Sequence, residues 1–428
     1  MNIKRAMAKW LFMFRHKRRP SRMEIDLILA SRTRAELTDT RFIGVTGSAG
    51  KSSTSALLFF LLGARYQVAG SLLHNALKDI AHRLIDVKAD DQFVVVEMSG
   101  HEPGALASGC SLVQPAAAII TGVSSDHFAN FRSLQATALE KSVLASAVDQ
   151  SGTVFLNLDD PLVADMVTAT RARVLTFGLS EKADYRALKP LIDGNGRLTF
   201  VCAYLEERVE FNIGMPALHF VSAALAAIGC AHQAGVPLEV LAERALYFTG
   251  LHGRCSIHHI SHRRQIICDT VKAPYPTLEL AFGVLSAFHQ ANRRTIVLGN
   301  FSDYAGAFSP KLRKVVKTAL EYADRVLLFK QPHGVKKLID AYGPERVGVV
   351  DSLDMLREIL EGDILEGEVV LLKASSVNKL DALVQTYASE SERTQDAAFD
   401  IKELHSEWKR CSDGMEDGLV RMRSGAVG

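Results

Sequence analysis

The chain has 428 residues, 48% hydrophobic and 23% charged, with a net charge of +2. That composition marks a globular protein long enough for two or three domains with full cores, and it gives no reason to expect nucleic acid or another polyanion as a partner. The six cysteines (110, 202, 230, 255, 268 and 411) are scattered, with no Cys-x-x-Cys. This suits reduced thiols in the cytoplasm and excludes a disulfide framework or a zinc knuckle.

Residues 1–22 hold Lys4, Arg5, Lys9, Arg15, Lys17, Arg18, Arg19 and Arg22 and no acid, around the run Trp10-Leu11-Phe12-Met13-Phe14. Five apolar residues are too few to span a bilayer or to form a signal-peptide core. Two readings stay open: a basic amphipathic helix in peripheral contact with the inner face of a membrane, or a solvated tail or helix resting on the body.

From residue 41 the pattern alternates between strand and helix. Strands are expected over 42–45, 93–97, 116–121, 153–157 and 174–177, and helices over 52–62, 75–85, 134–148 and 161–169. That is the mark of a mostly parallel, doubly wound α/β sheet. An antiparallel patch over 184–213, turning at 193–196, is followed by helices over 217–234 and 238–247. After a boundary near Gly250-Leu251-His252-Gly253 the alternation restarts. Strands are expected over 265–268, 295–298, 325–329, 347–350 and 369–372, with helices over 277–291, 310–322, 334–341, 352–361 and 378–387. The expected organisation is a basic segment (1–40), a P-loop-containing central domain (41–250), a second, Rossmann-like α/β domain (251–388) and a polar tail (389–428), with a helix over 399–410.

The segment Gly44-Val-Thr-Gly47-Ser48-Ala-Gly50-Lys51-Ser52-Ser53-Thr carries the most chemistry. Gly47 and Gly50 let backbone N–H groups turn towards phosphate oxygens. Lys51 adds a point charge, Ser52 or Ser53 can reach Mg²⁺, and the following helix N-terminus favours an anion. Val45 stands where the longer P-loop pattern has its first glycine, so this is the shorter Gly-x-x-Gly-Lys-Ser form. Glu97 ends an apolar strand at its carboxyl edge, where a carboxylate can hold Mg²⁺. Asp126-His127 follows another strand, and Lys141 lies on the next helix. Asn157-Leu158-Asp159-Asp160-Pro161 reads as a strand end and a helix cap. Beyond residue 250, Gly253-Arg254 and Asp269-Thr-Val-Lys272-Ala-Pro274 place an arginine, an aspartate and a lysine where they can close over a nucleotide.

In this order the motifs resemble the Mur ligase superfamily over residues 41–387. Gly47–Ser53 resembles its P-loop, and Glu-Met-Ser-Gly-His-Glu-Pro-Gly at 97–104 is closest to the D-Ala-D-Ala-adding branch. Thr-Gly-Val-Ser-Ser-Asp-His at 121–127, Asn157–Pro161 and Leu-Leu-Lys-Ala-Ser-Ser at 371–376 resemble later family segments. The resemblance implies an ATP-dependent carboxylate–amine ligase working through an acyl phosphate. It implies Lys51 on the β- and γ-phosphates, Ser52 and Glu97 on one Mg²⁺, and His127 with a carbamylated Lys141 on a second. It also implies Gly47, Ser48, Gly50, Ser53, Asn157, Arg254 and Asp269 around the nucleotide and Lys272 near the transferred phosphate.

Two departures qualify it. About 40 residues precede the P-loop, where the peptidoglycan ligases have a separate UDP-sugar domain, so the expected carboxylate is not UDP-linked. His219-Phe220 stands where relatives have His-Asn. The alternatives are a poly-γ-glutamate or folylpolyglutamate type of ligase, and a non-catalytic nucleotide-binding regulator of the same fold.

Overall fold

The computed structural model describes residues 2–384 and 420–422, except 74, 125–127, 195, 261–263, 332–333 and 364–365. The expected helix over 399–410, Cys411 and His127 lie outside the described residues.

Residues Asn2–His16 (α1) and Arg22–Glu36 (α2) are helices. A capping box starts α2: Ser21 Oγ accepts from the Glu24 N–H, and the Glu24 carboxylate accepts from the Ser21 N–H at 2.8 Å. These reciprocal bonds satisfy helix-end donors that otherwise have no partner. The helix is then tied to the body by Arg34, which donates to the Val113 and Gln114 carbonyls at 2.7 and 3.1 Å.

The first sheet begins with Arg41–Thr46 (β1), followed by Lys51–Leu62 (α3), Val68–Ser71 (β2), Leu77–Leu84 (α4), Phe93–Glu97 (β3), Ala105–Val113 (α5) and Ala117–Ile120 (β4). Phe128–Phe131 (α6), Leu134–Ser146 (α7), Thr153–Asn157 (β5), Pro161–Ala164 (α8) and Arg173–Gly178 (β6) complete its parallel part. Tyr185–Ile192 (β7), Leu198–Tyr204 (β8) and Glu207–Ile213 (β9) extend it as an antiparallel meander. Phe220–Gln233 (α9) and Leu238–Ala245 (α10) follow. The strand order β2-β3-β1-β4-β5-β6-β7-β8-β9 leaves β1 between β3 and β4, so successive connections leave it in opposite directions. The loop after β1 therefore opens at a topological switch point, where ligands gather in open α/β sheets.

The second sheet holds Ser256–Ile260 (β10), Arg264–Asp269 (β11), Arg293–Leu298 (β12), Arg325–Phe329 (β13), Val347–Val350 (β14) and Glu368–Lys373 (β15), in the order β10-β11-β15-β12-β13-β14. Only β10 runs antiparallel in it. Its helices are Leu278–Phe282 (α11), Phe308–Tyr322 (α12), Val335–Tyr342 (α13) and Leu353–Glu358 (α14). Val420–Met422 (β16) returns to pair antiparallel with β2.

The α/β class expected from the alternation is the class observed, with local corrections. The helix expected over 277–291 is three short pieces: a 3-10 turn at Tyr275–Thr277, α11, and a 3-10 segment at Gly283–Phe288. Gly283 weakens a continuous helix there, and Pro276 lies in the 3-10 turn at its start. The helix expected over 161–169 stops at Ala164 and tightens into a 3-10 turn over Asp165–Ala169. Of the helix expected over 378–387, the described part is a 3-10 turn at Ser376–Asn378 and one helical turn at 381–384.

One hydrophobic core runs from α3 and α9 through to β12 and β15 of the second sheet. Every residue of α3 after Lys51 is buried. A helix apolar on all sides belongs inside, and here it fixes the loop at its head against the sheet.

Candidate active site

The loop between β1 and α3 is shaped by one close approach. At Gly47, φ is +149°, and an added Cβ would lie 1.9 Å from Thr121 Oγ1. Thr121 in turn donates to the Ala49 carbonyl at 2.5 Å. Gly50, at φ +81°, is the N-cap of α3 and turns the chain into the helix. Ser48 fixes the loop from the other side: its N–H donates to the Gly122 carbonyl at 2.8 Å, and its Oγ accepts from the Ser124 N–H at 2.9 Å. Lys51 donates its ammonium to the Gly47 carbonyl, so the charge sits over the loop.

At the carboxyl end of β3, Glu97 is 1% exposed. Its Oε1 accepts from Ser52 Oγ at 3.0 Å and Asn75 Nδ2 at 2.9 Å, and its Oε2 from the Leu73 N–H at 3.1 Å. Ser53 is buried in the same first turn of α3. A serine hydroxyl and a buried carboxylate 3.0 Å apart form a hard-oxygen set of the kind Mg²⁺ takes, so these residues fit that ion. Asn75 was missed by sequence reasoning; its one signal was its position after a short strand, β2.

Asn157, at the end of β5, donates to the Thr121 carbonyl at 2.9 Å and to Ser222 Oγ of α9 at 3.2 Å. It thus ties three elements together beside the P-loop. Asp160 caps α8 through the Leu162 and Val163 N–H groups, with Pro161 at the first helical position. Its second oxygen accepts from the Val123 N–H at 2.7 Å, which anchors the loop after β4.

Lys141 on α7 is 2% exposed. It is covered because α7 lies against β4 and α5. The neighbouring Glu140 carboxylate caps α5 by accepting from the Gly104 and Leu106 N–H groups, each at 2.8 Å. Among the described residues no three His, Cys, Asp or Glu side chains cluster as a metal site.

The remaining candidates lie at the head of the second sheet. Asp269 ends β11 directly opposite Lys373, the end of β15. The Lys373 ammonium donates to Asp269 Oδ2 at 2.6 Å and to the Lys272 carbonyl at 2.8 Å, and all but a small part of both charged side chains is buried. Lys373 lies in a motif quoted from the sequence, yet the cross-strand register was needed to reveal its partner. Lys272 is exposed on the loop that follows. Arg254 Nε is buried without a hydrogen-bond partner among the described residues. His219, at the head of α9, is crowded by protein while its side chain still meets solvent. That desolvation pushes its pKa down to about 4, with Asp269 opposing the shift and Lys373 adding to it. Asp269 and Lys373 of the second sheet are thus electrostatic neighbours of a helix of the first. Phe220 is buried in the core.

A cavity of 390 Å³ lies beside the Glu97 site, lined among others by Met23, Asn75, Lys78, Ser99 and His101. Asn75 both lines it and holds Glu97.

A P-loop at a switch point, a buried carboxylate beside its serine and a second α/β sheet closing on the first define a two-sheet nucleotide-binding α/β protein. Residues 45–231 match the model of the Mur ligase middle domain family, and the chain is similar in sequence to Mur ligases over about four-fifths of its length. It is 27% identical over 382 residues to the UDP-N-acetylmuramoyl-tripeptide--D-alanyl-D-alanine ligase of Mycobacterium leprae, covering 80% of this chain and 72% of that one. It is 24% identical over 356 residues to the Bacillus subtilis ligase of the same name, covering 81% and 75%. Among solved structures its fold is similar to MurF from Acinetobacter baumannii, with a TM-score of 0.77, 18% identity and coverage of 86% of this chain and 80% of that one. MurF from Thermotoga maritima, solved in complex with ADP, matches with a TM-score of 0.71 and 18% identity over 88% and 85%.

Proposed function

We propose that this protein is an ATP-dependent ligase that joins a carboxylate to an amine through an acyl phosphate. The observation that carries this reading is the Ser52–Glu97 pair, buried at the head of a P-loop whose lysine lies over the phosphate cradle. Its likeness to ligases over four-fifths of the chain supports it further.

In the first step a carboxylate oxygen attacks the γ-phosphorus of ATP. The new O–P bond forms as the bond from that phosphorus to the β–γ bridging oxygen breaks, and ADP leaves. The amine then attacks the acyl carbon, inorganic phosphate departs and the nitrogen loses a proton. The protein's share is positioning and charge neutralisation. The backbone N–H groups at Gly47 and Gly50 face the phosphates, Ser48 holds the loop in shape through its bond to the Gly122 carbonyl, and Lys51 offsets the charge on the β- and γ-oxygens. Ser52 and Glu97 would hold Mg²⁺, which supplies further neutralisation of the phosphates when bound. Asn157 and Ser53 support the cradle. From the second sheet, Arg254 reaches the nucleotide with an N–H not otherwise used, Asp269 is held in place by Lys373, and Lys272 lies at the transferred phosphate. The cavity at Asn75 and His101 receives the carboxylate.

Several finer readings belong to this proposal. The chain divides as 1–40, 41–250, 251–388 and 389–428, with closure hinged at 248–253. His127 and a carbamylated Lys141 would hold a second Mg²⁺, because a buried ammonium repels a cation whereas a carbamate attracts one. Enrichment with ¹³C-bicarbonate should give a carbamate NMR signal that is lost in Lys141→Arg; a spectrum without it removes the second ion. The finer substrate reading is a carboxylate that is not UDP-linked; α1 packs on α2, and α2 on α4 and α5. Phosphate release with a UDP-muramoyl peptide would overturn that part alone. Use of ATP and the five buried free thiols described support a cytoplasmic setting.

The test of the whole reading is phosphate release and product mass spectrometry with ATP, Mg²⁺ and a cell extract as the source of acids and amines. Lys51→Ala should lower turnover by about 10²-fold or more. Unchanged release would end the ligase reading. ATP binding with no amide product from any acid–amine pair would favour the non-catalytic regulator.

A further inference from the structure

We propose that the outward face of α1 docks on an anionic lipid bilayer. The helix is held to the body by one side only. Ala8 and Phe12 are buried, and Arg5 reaches Asp26 of α2 at 2.9 Å. The other side presents Ile3, Met7, Trp10 and Phe14, which are 78%, 53%, 64% and 77% exposed. Their spacing of four, three and four residues places them within an arc of about 60° at about 100° per residue. Trp10 and Phe14 stack, with ring centroids 5.7 Å apart. Isolated apolar side chains on a surface need no explanation, but an aligned row of four large ones marks a docking face.

Charge identifies what docks. Residues 1–22 carry eight lysines and arginines and no acid. Arg5 pairs with Asp26 and Arg18 with Glu24, while Lys4, Lys9, Arg15, Lys17, Arg19 and Arg22 are exposed. On the helical projection Lys4 lies about 60° beyond one edge of the apolar arc, with Arg15 a little further round, and Lys9 lies on the other flank beyond Met13. In an interface-parallel pose these cations lie at headgroup depth, while Trp10 and Phe14 enter the acyl boundary. A second copy of this chain would set the same cations against one another. Among the described residues no helix is long and apolar enough to cross a membrane, so the contact is peripheral. The inference goes beyond the ligase reading and does not depend on it.

The experiment uses the full chain carrying Trp408→Phe, which leaves Trp10 as the single tryptophan. The probes are phosphatidylcholine vesicles with and without about one-third phosphatidylglycerol. The expected result is co-sedimentation and a blue shift of Trp10 emission with the anionic vesicles only, weakened by added salt. Trp10→Ala with Phe14→Ala should lower vesicle affinity at least about tenfold. Lys4→Gln with Lys9→Gln and Arg15→Gln should do the same while leaving the thermal shift with ATP unchanged. No binding, equal binding to neutral vesicles, or binding indifferent to the Trp10/Phe14 pair would overturn the proposal. So would a concentration-dependent dimer abolished by that pair, which assigns the face to a protein partner.

Discussion

At the scale of single residues, the site depends on positions where only one side chain fits. Gly47 is the clearest case. Its backbone conformation disfavours a side chain, and a Cβ would meet Thr121 Oγ1 at 1.9 Å. Gly47→Ala should therefore weaken ATP binding at least about tenfold, or about 1.4 kcal/mol by calorimetry, through loss of the loop shape. His219 supplies a pH signature. Its pKa is about 4 in the folded protein against 6.5 ordinarily, so below pH 6.5 the unfolded chain takes up the proton first. The stability linked to it is intact above pH 6.5 and is lost progressively as pH falls to about 4. A Tm–pH profile of the wild type should fall more steeply across that window than one of His219→Gln. Parallel profiles would show that His219 titrates normally.

The P-loop residues were legible in the sequence because their chemistry is local: glycines, lysine and hydroxyls at fixed offsets between a strand and a helix. Glu97 was legible for a similar reason, as a carboxylate ending an apolar strand. Asn75 and the partner of Lys373 were not, because each contact joins segments far apart in the chain. The Lys373 ammonium meets Asp269 over a separation of 104 residues. The burial of Lys141 was not legible either, since burial depends on what packs over a helix face.

At the scale of elements, the Asp269–Lys373 pair joins the ends of two neighbouring parallel strands. Removing one partner leaves a buried charge without its counterion. Lys373→Met should cost about 3–5 kcal/mol in urea unfolding, and adding Asp269→Asn should recover most of that loss. If the two single losses simply add, the pair is not coupled. The 277–291 segment shows the opposite limit of sequence reading. Its apolar spacing suits a helix, but the segment breaks at Gly283 into short pieces that still bury Leu278, Phe282 and Leu285. Packing wins over continuity there because burial of three large side chains outweighs a few helical hydrogen bonds. At the N-terminus the basic composition was plain, yet which face of α1 lies outward was settled only by Ala8 and Phe12 packing inward.

At the scale of the whole molecule, the two sheets share one core, and His219 of the first lies in the field of Asp269 and Lys373 of the second. A ligand bound at the P-loop should therefore stabilise the molecule as a unit. At a hundredfold excess over Kd, ATP with Mg²⁺ should add about 2.7 kcal/mol, visible as a raised Tm. Lys51→Ala should remove that shift without lowering the Tm of the protein alone. A shift that survives in Lys51→Ala would place the nucleotide elsewhere.

By itself the sequence determined the α/β class, most of the alternation of strands and helices and the glycine-rich loop, because periodicity and turn chemistry act over a few residues; β2, α5 and β10 escaped it. Only the tertiary structure decided which strands are neighbours, that β1 sits at the switch point, that Asn75 and Ser52 converge on Glu97, that Lys373 holds Asp269 and that one face of α1 is left in water. Those facts depend on contacts between distant segments, where burial and register select among arrangements that local spacing leaves equal.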